Sequence, residues 1–336
     1  MTDKMSEFDL IRRYFAPLSK GEKGAFNLTD DAAVLGAPSG EKIVVTTDSL
    51  IEGIHFFNDD PADLVAAKLL AVNLSDLASM AATPAYYTLS LALPIKWEES
   101  KRNNWLEKFS NGLSEYQKKF KVTLVGGDTV AISGPLVLTI TAFGLVRENA
   151  ALRRNGAAVG DTIWVTGTIG DSALGLLALQ NQLDEIDADS SVFLVDRYQR
   201  PQPRIAIGQR LHGNASAAID VSDGLAADLA HMCRASGVGA EIDIAKIPIS
   251  AAARTLTTAS PELIEIAITG GDDYELLFTT DPGSSPAIES IEKVTHCAIT
   301  EIGCIIEDPA IRFLDDNGEN LALSNAGYNH FNIVYH

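Results

Sequence analysis

Cysteine and histidine are scarce, three and six in a chain of 336 residues. Cys233, Cys297 and Cys304 are odd in number and lack the C-x-x-C spacing of zinc or dithiol sites. They read as buried small apolar groups in a reducing compartment. No stretch approaches the about 18 apolar residues of a membrane span. Residues 1–15 mix charge with apolar residues, where a signal peptide would show a basic end and then an unbroken apolar run. The cytoplasm is the expected location.

Positive charge is also in short supply, with 26 Lys and Arg against 45 Asp and Glu and a formal net charge of -19. The summed field of such a chain repels nucleic acid and anionic membrane, so neither is an expected partner. The familiar nucleotide signatures are missing as well: no G-x-x-x-x-G-K-[ST], no kinase H-R-D with D-F-G, and no dinucleotide fingerprint after a strand. A nucleotide bound here is therefore expected to be held mainly through metal.

What is present is apolar mass, 46% of the residues, enough to bury substantial cores over a length that fits two domains better than one. Residues 43–47 have the β-branched content of a strand, with Asp48 at its end. Pro61 opens a helix whose apolar residues, Leu64, Ala67, Leu70, Ala71, Leu74, Leu77 and Ala78, recur at helical spacing through about residue 82. A helix over 101–120, a strand over 122–125 and a strand over 136–146 complete the first half. The polar stretch from Arg147 to Gly156 is read as the joint, which divides the chain into domains 1–148 and 149–336. The second half repeats the alternation, with strands over 161–166, 217–221, 274–280 and 298–306 and helices over 172–180, 203–211 and 225–235. The expected class is α/β (α+β), two αβ domains of similar size.

Acidic residues recur where these strands end: Asp30-Asp31, Thr46-Thr47-Asp48, Gly126-Gly127-Asp128-Thr129 and Asp220-Val221-Ser222-Asp223-Gly224. Strand ends are where αβ folds place ligand-handling groups, and glycine lets backbone approach a phosphate. Asp76 is unusual, a poor helix former inside an apolar helix. It either faces the surface or projects into a shared site, with Asn73 one turn earlier on the same face. Clustered carboxylates repel, by about 4 kcal/mol for unit charges roughly 4 Å apart at an effective dielectric of 20. Divalent cations remove that repulsion. An oxygen-only donor set favours Mg²⁺ over Zn²⁺ or copper, and magnesium bridges carboxylates to phosphate oxygens. Gly167-Thr168-Ile169-Gly170 either offers helix N-terminal N–H groups to an anion or forms a plain turn.

Taken in order, these segments resemble the thiamine-monophosphate kinase family, within a superfamily that includes aminoimidazole ribonucleotide synthetase and selenophosphate synthetase. The resemblance runs from Glu7-Phe8-Asp9-Leu10-Ile11 to Gly327-Tyr328-Asn329-His330-Phe331. It is most specific at Thr46-Thr47-Asp48 with Gly53-Ile54-His55-Phe56, at Asn73-Leu74-Ser75-Asp76-Leu77-Ala78, at Gly126-Gly127-Asp128-Thr129, and at Gly270-Gly271-Asp272-Asp273-Tyr274-Glu275-Leu276. It implies ATP as co-substrate and phosphorylation of thiamine monophosphate to thiamine diphosphate by direct transfer.

The same resemblance implies that Asp31, Thr46, Thr47, Asp48, Asp76, Asp128, Asp220 and Asp223 share several Mg²⁺ ions, and that Gly127, Asp128, Arg154 and Ser222 lie at the nucleotide. His55 would hold the thiamine phosphate, and Asp272 and Tyr328 the thiamine moiety. Arg154 as a charged joint residue and His55 as a structural histidine are the plainer alternatives. Asp272 stands where many relatives carry Glu, so Asp273 or Glu275 is an alternative contact. No side chain is expected to act as nucleophile or general base. The implied architecture is a homodimer, the N-terminal sheets of two copies forming a barrel, with an αβ C-terminal domain behind and the site in the cleft between domains. Other readings are another ATP-dependent synthetase of the superfamily and a non-enzymatic acidic metal-binding protein. A selenophosphate synthetase would carry a reactive Cys near its start, and no cysteine precedes Cys233.

Overall fold

The computed structural model describes residues 7–29, 32–183, 186–323 and 327. Two of the expected site residues, Asp31 and Tyr328, lie outside them. The chain divides into two compact units, Met1–Leu77 with Ala82–Asn149, and Ala78–Ala81 with Ala150–His336. Both mix helix and sheet. Among the described residues, no helix is long and apolar enough to cross a membrane.

In the first unit, α1 (Glu7–Leu10) and short irregular helical turns precede β1 (Glu41–Ile51), α2 (Ala62–Ser79), β2 (Thr83–Pro94), α3 (Glu99–Phe120), β3 (Thr123–Ile132) and β4 (Val137–Arg147). The strands form one sheet in the order β1-β4-β2-β3, with β2 and β3 parallel and the other pairs antiparallel. Strand β1 is longer than its β-branched run because β4 pairs with it along its whole length, from Glu41 opposite Arg147 to Ile51 opposite Val137. Asp48 therefore sits within a strand, not at its end, and Asp128 likewise lies inside β3. Strand β2 was not expected from the sequence. Its Pro84 and Pro94 argue against a central strand, but Pro94 is the last residue and Pro84 adjoins a register shift against β4.

One face of this sheet is apolar, with Tyr87, Leu89, Leu91, Leu138 and Ile140 buried. Helix α2 is buried almost all round, Leu69, Leu70, Leu74 and Leu77 being fully covered. Along β1 the alternate residues Ile43, Val45, Thr47 and Ser49 are exposed.

The second unit contains β5 (Thr162–Thr166), α4 (Asp171–Leu179), α5 (Ala188–Gln199), α6 (Ile205–Leu211), β6 (Ala217–Asp220), α7 (Leu225–Ser236) and β7 (Gly239–Asp243). It continues through α8 (Ala251–Ala259), α9 (Leu263–Thr269), β8 (Leu276–Thr280), α10 (Ser285–Thr295), β9 (Ile299–Ile306) and β10 (Ile311–Leu314). The sheet order is β10-β7-β9-β5-β8-β6. Strand alternation divides its side chains between two cores. Ile163, Val165, Ile219 and Leu277 pack with Leu225, Leu229 and Met232 of α7. Trp164, Ala218 and Phe278 pack with Ile207 and Leu211 of α6 and Ile288 and Ile291 of α10. Among the described residues neither sheet closes on itself. Of the cysteines expected to be buried, only Cys233 is, and burial pushes its thiol up to about 11; Cys304 is exposed.

Candidate functional site

In the first unit β1 and α2 bring part of the expected constellation together. The Thr46 hydroxyl donates to Asp76 Oδ2, and the Asp48 amide donates to Asn73 Oδ1 at 3.1 Å. Asn73 is fully buried and spends its own amide on the Leu69 carbonyl, 3.0 Å away. This answers the oddity of Asp76: it is half-buried in an apolar helix because a strand hydroxyl meets it there. Thr47, one residue on, belongs to the opposite face by the two-residue period. Its hydroxyl donates to the Ile140 carbonyl at 3.0 Å and accepts from Thr141 at 3.1 Å. Asp128 is exposed, and its Oδ1 accepts from the Thr129 amide at 2.9 Å. Gly127 permits a close strand approach, since a Cβ there would lie 1.9 Å from the Leu89 carbonyl oxygen.

His55 follows β1 in a tight turn. The Ile51 N–H donates to His55 Nδ1 at 3.0 Å, so Nδ1 offers a lone pair and the proton of the neutral ring sits on Nε2. Lys68 of α2, 2% exposed, donates to the His55 carbonyl at 3.0 Å. Sequence reasoning did not find this buried lysine.

In the second unit Asp220 ends β6 and is nearly buried. The following turn is organised by Asp228 of α7, also unforeseen, whose Oδ2 accepts the amides of Ser222 and Asp223 at 3.0 Å each. Burial pushes the Asp228 carboxyl up to about 7, against the opposing pull of those amide bonds. Its signal in the sequence was an aspartate in the first turn of a helix preceded by Ser-Asp-Gly, a capping arrangement. The turn pairs with the Asp272 segment: Asp272 N donates to Ser222 O at 2.9 Å and Tyr274 N to Val221 O at 2.8 Å. The Tyr274 hydroxyl donates to Asp272 Oδ1 at 3.1 Å. Arg154 is exposed, and its carbonyl accepts from the Ser236 hydroxyl at 3.2 Å.

Two alternatives left open by the sequence meet internal partners. Asp273 and Glu275, the alternatives to Asp272, are both buried and accept hydrogen bonds from internal donors. Asp273 accepts the amides of Gly170 at 2.7 Å and Ser172 at 3.2 Å, and burial holds its carboxyl well above the usual carboxylate range. At Gly167–Gly170 the Gly170 amide is thus taken by an internal carboxylate at the start of α4, and the Gly167 and Ile169 amides donate to the Ala298 and Pro248 carbonyls.

The donor set around Asp76 is all oxygen, which suits a hard cation. Among the described residues no three His, Cys, Asp or Glu side chains converge. Magnesium typically uses one or two protein carboxylates, several waters and substrate phosphates, so the residues present fit that ion.

Two family profiles match the chain, "AIR synthase related protein, N-terminal domain" over residues 29–146 and its C-terminal domain over 158–316. Thiamine-monophosphate kinase of Escherichia coli (strain K12) is 43% identical over 328 residues, 97% of this chain and 98% of that one. The chain belongs to the thiamine-monophosphate kinase family. The crystal structure of the family member from Stenotrophomonas maltophilia K279a superposes with a TM-score of 0.82 at 40% identity, covering 94% of this chain and 98% of that chain. AaThiL complexed with AMPPCP and TMP superposes at 0.76 with 29% identity, covering 98% and 99%. The family thus accounts for both units.

Proposed function

We propose that this chain transfers the γ-phosphoryl group of ATP to the phosphate of thiamine monophosphate, giving thiamine diphosphate. The observation that carries the proposal is the family match over 97% of the chain at 43% identity, and the AMPPCP and TMP complex of AaThiL supports both substrates. An oxygen of the acceptor phosphate forms the new bond to the γ-phosphorus while the bond from that phosphorus to the β–γ bridging oxygen breaks, leaving ADP. The acceptor needs no general base, because the second ionisation of a phosphate monoester lies near ~6. Positioning and charge neutralisation are the protein's tasks.

In this reading Asp31, Thr46, Thr47, Asp48, Asp76, Asp128, Asp220 and Asp223 hold magnesium. When bound, the ions neutralise the polyphosphate and the developing charge of transfer. Gly127, Asp128, Arg154 and Ser222 take the nucleotide. His55 presents Nε2–H to the acceptor phosphate, a tautomer supported by the Ile51 bond to Nδ1. Asp272 faces the thiazolium cation, and Tyr328 offers its ring. The proposal assigns dimerisation, His55 and most of the ATP and magnesium residues to the N-terminal domain, 1–148, and Arg154, Asp220, Ser222, Asp223, Asp272 and Tyr328 to the C-terminal domain, 149–336, which completes the site.

The proposed assembly is a homodimer in which the first units' sheets form a barrel. Exposed Ile43 at 47%, Val45 at 59% and Val130 at 48% on edge strands support it. Sedimentation velocity checks this, and a monomer at micromolar concentration contradicts it. The activity is tested by offering thiamine monophosphate and free thiamine in parallel with ATP and Mg²⁺. Conversion of the monophosphate alone is expected, and robust phosphorylation of free thiamine refutes the reading.

A further inference from the structure

In the second unit, residues 272–275 alternate between two environments. Asp272 and Tyr274 are half-buried and left-handed, with φ of +71 and +50. Asp273 and Glu275, at 1% and 0% exposure, are enclosed. Left-handed backbone at a non-glycine residue persists only where its surroundings over-determine it, and such residues gather at ligand clamps.

The enclosed pair supplies that determination. Glu275 Oε2 accepts from Thr166 Oγ1 at 2.7 Å and from Arg204 Nε at 2.6 Å, and Oε1 accepts from Arg197 at 2.7 Å and from the second Arg204 nitrogen. Thr166 also accepts the Leu276 amide at 2.8 Å, so one hydroxyl ties side chain and backbone. Gly167 leaves room for this carboxylate, as a Cβ there would lie 2.2 Å from Oε1. Burial opposes the Arg204 charge, but attraction to Glu275 outweighs it and raises the guanidinium above its ordinary value. Asp273 fixes the same segment to α4, and Val221 N donates to the Glu275 carbonyl at 2.8 Å, which joins the segment to the Ser222 turn.

We infer that Glu275, gripped by Arg197, Arg204 and Thr166, and Asp273 are positioning residues that hold Asp272 in its presented geometry and keep the Ser222 turn in register with it. Neither contacts substrate: each is spent on internal donors. The inference rests on the proposed role of Asp272 toward the thiamine moiety.

The test compares full-length Thr166→Val, Arg204→Lys and Glu275→Gln with Ile302→Val, a change in the core of β9. Steady-state kinetics read KM for both substrates and kcat, and amide exchange reads Asp272 and Tyr274. Each of the three raises KM for thiamine monophosphate about tenfold, more than it lowers kcat, and speeds exchange at both amides, as expected for loss of one charge-assisted bond. Ile302→Val leaves KM and the two amides unchanged. If Glu275→Gln does not fold, the two milder variants decide. KM within about twofold of the parent, with unaltered exchange at Asp272 and Tyr274, overturns the inference. A parent without thiamine-monophosphate kinase activity overturns the proposed function instead, and exchange alone then decides whether Glu275 holds the segment.

Discussion

Replacing Glu275 by Gln removes one negative charge from a site where two guanidinium groups remain. The Arg197 and Arg204 side chains are 11% and 20% exposed and that of Glu275 is fully enclosed, so water supplies little compensation. Removing one partner of a buried ion pair costs about 3–5 kcal/mol, because the surviving charge stays desolvated. At roughly 2–4 °C per kcal/mol for a unit of this size, the thermal midpoint of the second unit should fall by about 6–20 °C. The contrasting case is Glu289, paired with Lys293 on the surface of α10 with 66% and 78% of the side chains exposed. Such pairs are worth about 0–1 kcal/mol, so Glu289→Gln should shift the midpoint by no more than about 2–4 °C. Calorimetry is the suitable assay, since two units can melt separately. A Glu275→Gln midpoint no lower than that of Glu289→Gln would show that the two arginines find other compensation, and would refute the reasoning.

Asp48→Asn, Asp76→Asn and Asp128→Asn should each keep the parent's circular dichroism and lose most activity; near-normal turnover of all three at limiting Mg²⁺ contradicts the metal assignment. Tyr274→Phe deletes only the hydroxyl bonded to Asp272, so KM for thiamine monophosphate should rise while KM for ATP holds; equal rises in both would contradict that role. The raised Asp228 carboxyl gives a stability contribution that is full below the unfolded value near ~4 and lost as pH rises through about 7. Asp228→Asn cannot titrate, so in EDTA its midpoint relative to the parent should climb between about pH 4 and 7 and level off above, and a flat difference across that range contradicts the assignment.

The alternation of strands and helices was readable wherever the local pattern was strong, as in α2, α3 and β4. Strand β10 was not, because its four residues owe their state to pairing with β7, Ile311 opposite Ala240. Strand β2 was hidden by its prolines, tolerated only because they fall at a register shift and at the strand's end. Asp76 could be singled out as a polar residue in apolar company, yet its partner Thr46 lies 30 residues away. Glu275 lay within a recognisable motif, while Arg204 and Arg197 stand 71 and 78 residues from it, and no local spacing links them. Strand-end carboxylates were a partial guide: Asp220 does end its strand, whereas Asp48 and Asp128 are carried within longer ones.

The central claim is direct transfer from ATP to thiamine monophosphate, and a rapid-quench experiment with γ-labelled ATP and Mg²⁺ tests it most closely. With acceptor present, the label should appear in thiamine diphosphate, and with acceptor omitted, the isolated protein should carry none. Stoichiometric label on an aspartate or histidine, released as labelled thiamine diphosphate when acceptor is added, would contradict direct transfer, and no labelled thiamine diphosphate under any condition would contradict the function itself.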